Sequence, residues 1–132
     1  MTKLDQSILE RIEAAISLDK EKPGLGNVDI HKAQELLTEV GAVFLDVRPP
    51  SKVTGENAQE ANVPNAFYTP FTEFTEYLDV LPKDKTTPIV TACLKGWFAN
   101  RIAGYLEVLG YENVYVLDTD IEDFIEIYKA AK

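Results

Sequence analysis

Residues 89–111 form the stretch IVTACLKGWFANRIAGYLEVLGY, which joins an apolar run to an amphipathic pattern. The run Ile89–Ala92 is typical of a strand that is buried on both faces of a parallel sheet. Apolar residues then recur at helical spacing, which predicts a helix that ends at Gly110. Cys93, the only cysteine of the chain, lies between the two elements. The stretch therefore predicts a strand–loop–helix unit with a thiol at the carboxyl end of the strand.

Strand-like and helix-like segments alternate through the rest of the chain. Residues 28–41 are predicted to form a short strand followed by a helix. Further short strands are predicted over 42–47, 66–70 and 113–118. Further helices are predicted over 4–18, 71–81 and 121–132. This alternation predicts an α/β fold with a central, mainly parallel, five-stranded sheet and helices on both faces. In such sheets ligands bind beyond the carboxyl ends of the strands, where Cys93 is expected.

The first part of the chain is predicted to lie outside the main domain. Residues 4–18 form an amphipathic helical pattern, and residues 19–27 are charged and contain glycine and proline, as in a linker. We therefore assign residues 1–22 to an N-terminal helix and linker, and residues 23–132 to the α/β domain. Within the domain, Asp29 is a predicted helix N-cap and Gly41 a predicted helix stop.

Composition excludes several classes of function. The 132 residues suit one compact domain, and 13 basic against 22 acidic side chains give a net charge of −9. Such an acidic chain is a poor ligand for nucleic acids or anionic membranes. A single cysteine and the single histidine, His31, cannot build a metal cluster or an internal disulfide. The sequence shows no secretory signal and no membrane span, so we expect a cytoplasmic protein. We expect it to be a monomer or a homodimer.

The loop at the start of the predicted helix favours an anionic sulfur. Backbone N–H groups at a helix N-terminus point outward without partners, and the helix dipole adds positive charge there. A thiol in that position is stabilised as the thiolate, the nucleophilic form. Gly96 permits a tight turn, and Lys95 adds a cation. The alternative is a buried structural cysteine, which is common, but such a residue needs no glycine-bearing loop.

Three stretches together resemble the rhodanese domain, the sulfurtransferase module. They are FLDVR at 44–48, ANVPNAFYTP at 61–70 and the segment 89–118 that contains Cys93. The resemblance implies a single α/β domain in which Cys93 carries a persulfide between half-reactions. It also implies that Asp46 and Arg48 brace the active-site side of the fold. The implied substrate-binding loop comprises Leu94, Lys95, Gly96, Trp97 and Phe98.

The loop departs from the pattern of the family, which is Cys-x-x-Gly-x-Arg. Phe98 stands in place of the arginine, and Leu94 stands where a second arginine is frequent. A small dianion such as thiosulfate needs charge-assisted donors, and a lysine cannot supply the bidentate fork of an arginine. The aromatic pair Trp97 and Phe98 suits a less charged donor, such as a polysulfide, a persulfide or sulfur held by a protein.

The sequence thus predicts a sulfurtransferase that moves a sulfane sulfur through Cys93 to a thiol acceptor, either a small molecule or a protein, without a metal or organic cofactor. One alternative is a non-catalytic rhodanese-like module that binds or regulates a partner. Another is a phosphatase or arsenate reductase of related architecture. That class needs an arginine to clamp the oxyanion, but Ala99 lies six positions after Cys93, and Arg101 lies further along the helix.

Overall fold

A computed structural model describes residues 5–130 of the chain. The strands in this range are β1 Asn27–Val28, β2 Val43–Asp46, β3 Ala66–Tyr68, β4 Ile89–Ala92 and β5 Val114–Leu117. The helices are α1 Gln6–Glu21, α2 Ile30–Glu39, α3 Trp97–Val108 and α4 Ile121–Ala130. All strand pairs are parallel, and the sheet order is β1-β5-β4-β2-β3. The predicted α/β class and the five-stranded parallel sheet are confirmed.

Each face of the sheet carries its own apolar cluster, because successive side chains of a strand point to opposite faces. Phe44 of β2 belongs to the cluster that includes buried residues of α2 and α4. The next residue, Leu45, belongs to the cluster that includes buried residues of α3. Cys93 also lies in this second cluster. Helices therefore cover both faces of the sheet, as the sequence predicts.

The central strand β4 positions the loop that contains Cys93. Strand β4 lies between β2 and β5, so its carboxyl end is at the middle of the sheet edge. The buried hydroxyl of Thr91 donates a hydrogen bond to the carbonyl of Ala99 over 3.0 Å. This bond ties β4 to the first turn of α3, and it fixes both ends of the intervening loop.

Helix α1 is longer than the sequence pattern predicts. Asp5 caps it by accepting a hydrogen bond from the N–H of Ser7, and the helix continues to Glu21. Leu4, where the predicted helix begins, lies outside the described residues. The first residues of the predicted linker 19–27 are therefore helical, and a 3₁₀ turn over Pro23–Gly26 follows. Helix α1 packs against α3, with Ala15 buried.

A second difference concerns the segment after β3. The apolar spacing predicts a helix over 71–81, but Phe71–Val80 forms 3₁₀ turns, and Glu73 departs from helical geometry with φ −122°. Threonine and phenylalanine, which occupy several of these positions, are poor helix formers, and this weakens the case for a regular α-helix here. Within residues 5–130, no helix has both the length and the apolar character needed to cross a bilayer.

Candidate active site

The loop between β4 and α3 turns in four residues, 93–96, and depends on one glycine. Gly96 caps α3 in the left-handed conformation, with φ +83° and ψ −8°. A side chain at Gly96 would be strained in this conformation, and its Cβ would lie 3.3 Å from Nδ2 of Asn100. The turn directs the N–H of Gly96 back onto Sγ of Cys93.

The sulfur of Cys93 lies against backbone N–H groups of the first turn of α3. Gly96 N–H donates to Sγ over 3.1 Å, and Ala99 N–H donates over 3.4 Å. The carbonyl of Cys93 accepts a hydrogen bond from the N–H of Ile121, the first residue of α4, over 3.2 Å. N–H groups at the N-termini of α3 and α4 therefore both donate hydrogen bonds to Cys93. The donors at Sγ are of the kind that favours an anionic sulfur.

Cys93 borders a cavity of about 130 Å³. Its side chain is only 1% exposed, so this cavity is the route to the sulfur. The residues that line the cavity are Arg48, Lys52, Cys93, Leu94, Lys95, Trp97 and Phe98. The structure thus brings together five of the six loop residues that the sequence suggested. The sixth, Gly96, is buried behind the sulfur.

Asp46 and Arg48 form a buried ion pair beside the cavity. Nε of Arg48 donates to Oδ1 of Asp46 over 3.0 Å, and Nη2 donates to Oδ2 over 2.8 Å. Asp46 also accepts a hydrogen bond from the N–H of Ala58, and the hydroxyl of Tyr68 donates to the carbonyl of Arg48. Burial opposes the charge of Arg48, but the bonds and charge of Asp46 outweigh it and raise the pKa of Arg48. The guanidinium therefore stays charged, with much of its donor capacity held by Asp46.

The two aromatic residues at the end of the loop have different environments. The ring of Phe98 packs on the ring of Phe71, with centroids 5.0 Å apart and an interplanar angle of 51°. Phe98 is therefore part of the cavity wall. Trp97 is 72% exposed, and Lys95 is also exposed, so both are accessible to an approaching molecule.

Sequence reasoning missed one residue of this site. Lys52 lines the cavity from the 3₁₀ turn Pro50–Lys52, which follows β2. Its position after the carboxyl end of a strand next to β4 is a signal that could have indicated it. Arg101, in contrast, is exposed on α3 and does not line the cavity, so it supplies no oxyanion clamp there. Among the described residues, no group of three His, Cys, Asp or Glu side chains could hold a metal ion.

Several known proteins are similar in sequence to this chain. A thiosulfate sulfurtransferase GlpE of Tolumonas auensis is 28% identical over 101 residues, 76% of this chain and 89% of that protein. A second GlpE, from Vibrio cholerae, is 25% identical over 96 residues, 73% of this chain and 84% of that protein. A tRNA uridine(34) hydroxylase of Pelagibacter ubique is 28% identical over 123 residues, 91% of this chain but 38% of that protein. The sequence model of the rhodanese-like domain matches residues 29–127, most of the chain, and confirms the resemblance. The chain belongs to the rhodanese-like domain family.

Proposed function

We propose that the chain is a sulfurtransferase that carries a sulfane sulfur as a persulfide on Cys93. The observation that carries this proposal is the pair of N–H groups, from Gly96 and Ala99, that donate to Sγ at the wall of a cavity. The names of the two GlpE relatives support the reaction type. We place the reaction in the cytoplasm, where a free cysteine stays reduced.

The transfer requires two displacement steps. The Cys93 thiolate attacks the terminal sulfur of a donor R–S–SH, the S–S bond breaks, and R–S⁻ leaves while Cys93 keeps the persulfide. A thiolate acceptor R′–S⁻ then attacks the outer sulfur of that persulfide, and R′–S–SH leaves as Cys93 returns to the thiolate. The sulfane sulfur moves between thiols in both steps, so no external oxidant or reductant enters. The two loop N–H groups stabilise the anionic sulfur of Cys93 at the start and end of the cycle.

The donor we propose is a persulfide, a polysulfide or sulfur held by a protein, in preference to thiosulfate. Phe98 gives the cavity an apolar wall where the pattern of the family has an arginine. Arg48 also lines the cavity, but Asp46 already binds it through two hydrogen bonds. Among the described residues that line the cavity, Arg48 is the one arginine, so a dianion would find no guanidinium there that is free of a carboxylate, whereas a donor with less charge needs none.

Intact-mass spectrometry of the protein after incubation with a sulfane donor tests the proposal. We expect wild type to gain one sulfur atom from a persulfide or polysulfide, and to gain it more slowly from thiosulfate. Cys93→Ser, checked for folding by circular dichroism, should gain none. If wild type gains no sulfur from thiosulfate, polysulfide or any persulfide, the proposal is wrong.

A second candidate is a non-catalytic module that binds a basic protein. Helix α4 exposes Glu122, Asp123 and Glu126, and this acidic surface would complement such a partner. Here Cys93 would be structural. Absence of sulfur loading, together with partner binding that is the same in wild type and in Cys93→Ser, would favour this candidate.

A further inference from the structure

The cavity at Cys93 is locally basic in an acidic chain. Three of its lining residues are cations, namely Arg48, Lys52 and Lys95, whereas the chain as a whole has a net charge of −9. Among residues 5–130, none of those that line the cavity is acidic. A local reversal of the overall charge attracts and orients an anionic ligand at that place.

Lys52 and Lys95 converge on the cavity from two separate elements. Lys52 ends the 3₁₀ turn after β2, and Lys95 lies in the loop that follows β4. Both lysines are exposed, and within the described range neither forms an ion pair with an acidic side chain. Arg48, in contrast, is paired with Asp46. The two lysines are therefore the cations that remain available to a ligand.

The rest of the cavity wall is apolar. Leu94, Trp97 and Phe98 line it, and its volume of about 130 Å³ admits a chain of only a few non-hydrogen atoms. A ligand whose sulfur reaches Sγ of Cys93 would contact these side chains along its length. A group on the ligand that lies further out would meet the ammonium groups of the two lysines at the cavity mouth.

A carboxylate on a short apolar stem fits this arrangement better than a compact dianion. A lysine is a point charge on a flexible chain, which can pair with a carboxylate at the mouth without the fixed geometry of an arginine. Thiosulfate has no apolar part to contact Trp97 and Phe98. A persulfide without a carboxylate would contact the apolar wall but would gain no ion pair with the two exposed lysines.

We propose that Lys52 and Lys95 select, as the sulfur donor, a small organic persulfide that carries a carboxylate. This inference rests on the proposed function, because it names the donor for the persulfide on Cys93. In the first step the Cys93 thiolate takes the terminal sulfur of ⁻OOC–R–S–SH, and ⁻OOC–R–S⁻ leaves. The lysines bind the carboxylate, which takes no part in the bond changes.

Two donors of similar size test the selection, the persulfide of 3-mercaptopropionate and the persulfide of 2-mercaptoethanol. The measurement is the initial rate at which Cys93 gains sulfur, followed by quenching and intact mass. We expect wild type to load faster from the carboxylate donor. Lys52→Gln and Lys95→Gln should each lower the ratio of the two rates by about two- to fivefold, the range of an exposed ion pair. The ratio should also shrink in 1 M salt, where charges are screened beyond about 3 Å.

Lys83→Gln is the matched control, because Lys83 is exposed but does not line the cavity. It should keep the wild-type ratio. If wild type gains sulfur from both donors, and the Lys52 and Lys95 variants have the same ratio of loading rates as wild type, the proposed selection by the lysines is wrong. The proposed sulfur transfer through Cys93 would then still be supported. If wild type loads from no donor, both the selection and the proposed function are wrong.

Discussion

The backbone N–H of Gly96 donates to Sγ of Cys93 over 3.1 Å, and it does so from a conformation with φ +83°. The support for the sulfur is therefore a property of the main chain. Phe98 and Leu94 replace two frequent arginines of the family loop, yet neither replacement removes an N–H donor. This explains how a loop with one cation, Lys95, can keep the backbone geometry that favours a thiolate.

Gly96→Ala should weaken both the fold and the site. Alanine in the left-handed conformation costs about 1–2 kcal/mol, and its Cβ would also press on the amide of Asn100. Relief of that strain would turn the N–H away from Sγ. We expect the free energy of unfolding in urea to fall by this amount, and the rate of sulfur loading on Cys93 to fall as well.

Gly104→Ala is the control for that substitution. Gly104 lies within α3, has no positive φ, and an added Cβ would meet nothing within 4 Å. An alanine there should raise the free energy of unfolding by about 0.5–1 kcal/mol, because alanine is the better helix former. If Gly96→Ala were as stable and as active as Gly104→Ala, the requirement for a left-handed residue at position 96 would be refuted.

Asp46→Asn should destabilise the protein severely. The substitution leaves the guanidinium of Arg48 buried, at 1% exposure, without a countercharge. Removing one partner of a buried ion pair costs about 3–5 kcal/mol. We expect a loss of this size in urea unfolding. The double variant Asp46→Asn with Arg48→Met should be more stable than Asp46→Asn alone, and equal instability of the two would argue against an uncompensated charge as the cause.

The local features of the site could be predicted from the sequence. The strand before Cys93, the helix from Trp97 and the N-cap at Asp29, which accepts a hydrogen bond from Lys32 N–H, all follow from patterns within a few residues. Gly41 likewise adopts φ +67° just after α2. Hydrophobic period and capping are short-range effects, so one sequence is enough to reveal them.

Features that depend on distant contacts could not be predicted in this way. The segment between β2 and β3 is mostly polar and has no helical or strand-like spacing, yet Ala58, Ala61 and Val63 are buried in it. The N–H of Ala58 donates to Oδ2 of Asp46, twelve residues earlier, and this bond draws the segment onto the sheet. Lys52 belongs to the same segment, and its position after the carboxyl end of β2, a strand next to β4, is the one signal that could have indicated its place in the cavity wall.

Stability should fall with rising pH because of Glu107 on α3. Its carboxylate lies 3.1 Å from Nζ of Lys22. Burial, together with a hydrogen bond that the protonated carboxyl of Glu107 donates to Asp19, raises the pKa of Glu107 from 4.5 to about 7 despite the charge of Lys22. A pKa raised by folding means that the folded state holds the proton more tightly. The contribution of Glu107 to the free energy of unfolding is therefore complete below about pH 4.5, and it is lost as the pH rises through about 7.

Comparison with Glu107→Gln isolates this effect from other titrating groups. We expect the free energy of unfolding of wild type, minus that of the variant, to fall by about 1–2 kcal/mol between pH 5 and pH 8. One pKa unit corresponds to about 1.4 kcal/mol, and partial contact with water reduces the full value. Urea titrations at both pH values measure the difference. If the free energy of unfolding of wild type, minus that of Glu107→Gln, instead grew with pH, the prediction would be wrong, and Lys22 would be stabilising the charged form of Glu107.

Phe98→Arg should improve the use of thiosulfate relative to organic persulfides. The substitution restores the cation of the family loop at a position that lines the cavity, where a guanidinium can bind an oxyanion through two hydrogen bonds. It also removes the contact with Phe71, so the free energy of unfolding should fall by about 1–3 kcal/mol. Phe98→Leu loses the same ring contact without gaining a charge. Sulfur loading from thiosulfate, measured by intact mass, should therefore be faster in Phe98→Arg than in Phe98→Leu. Equal rates in the two variants would mean that the charge at position 98 does not set the choice of donor.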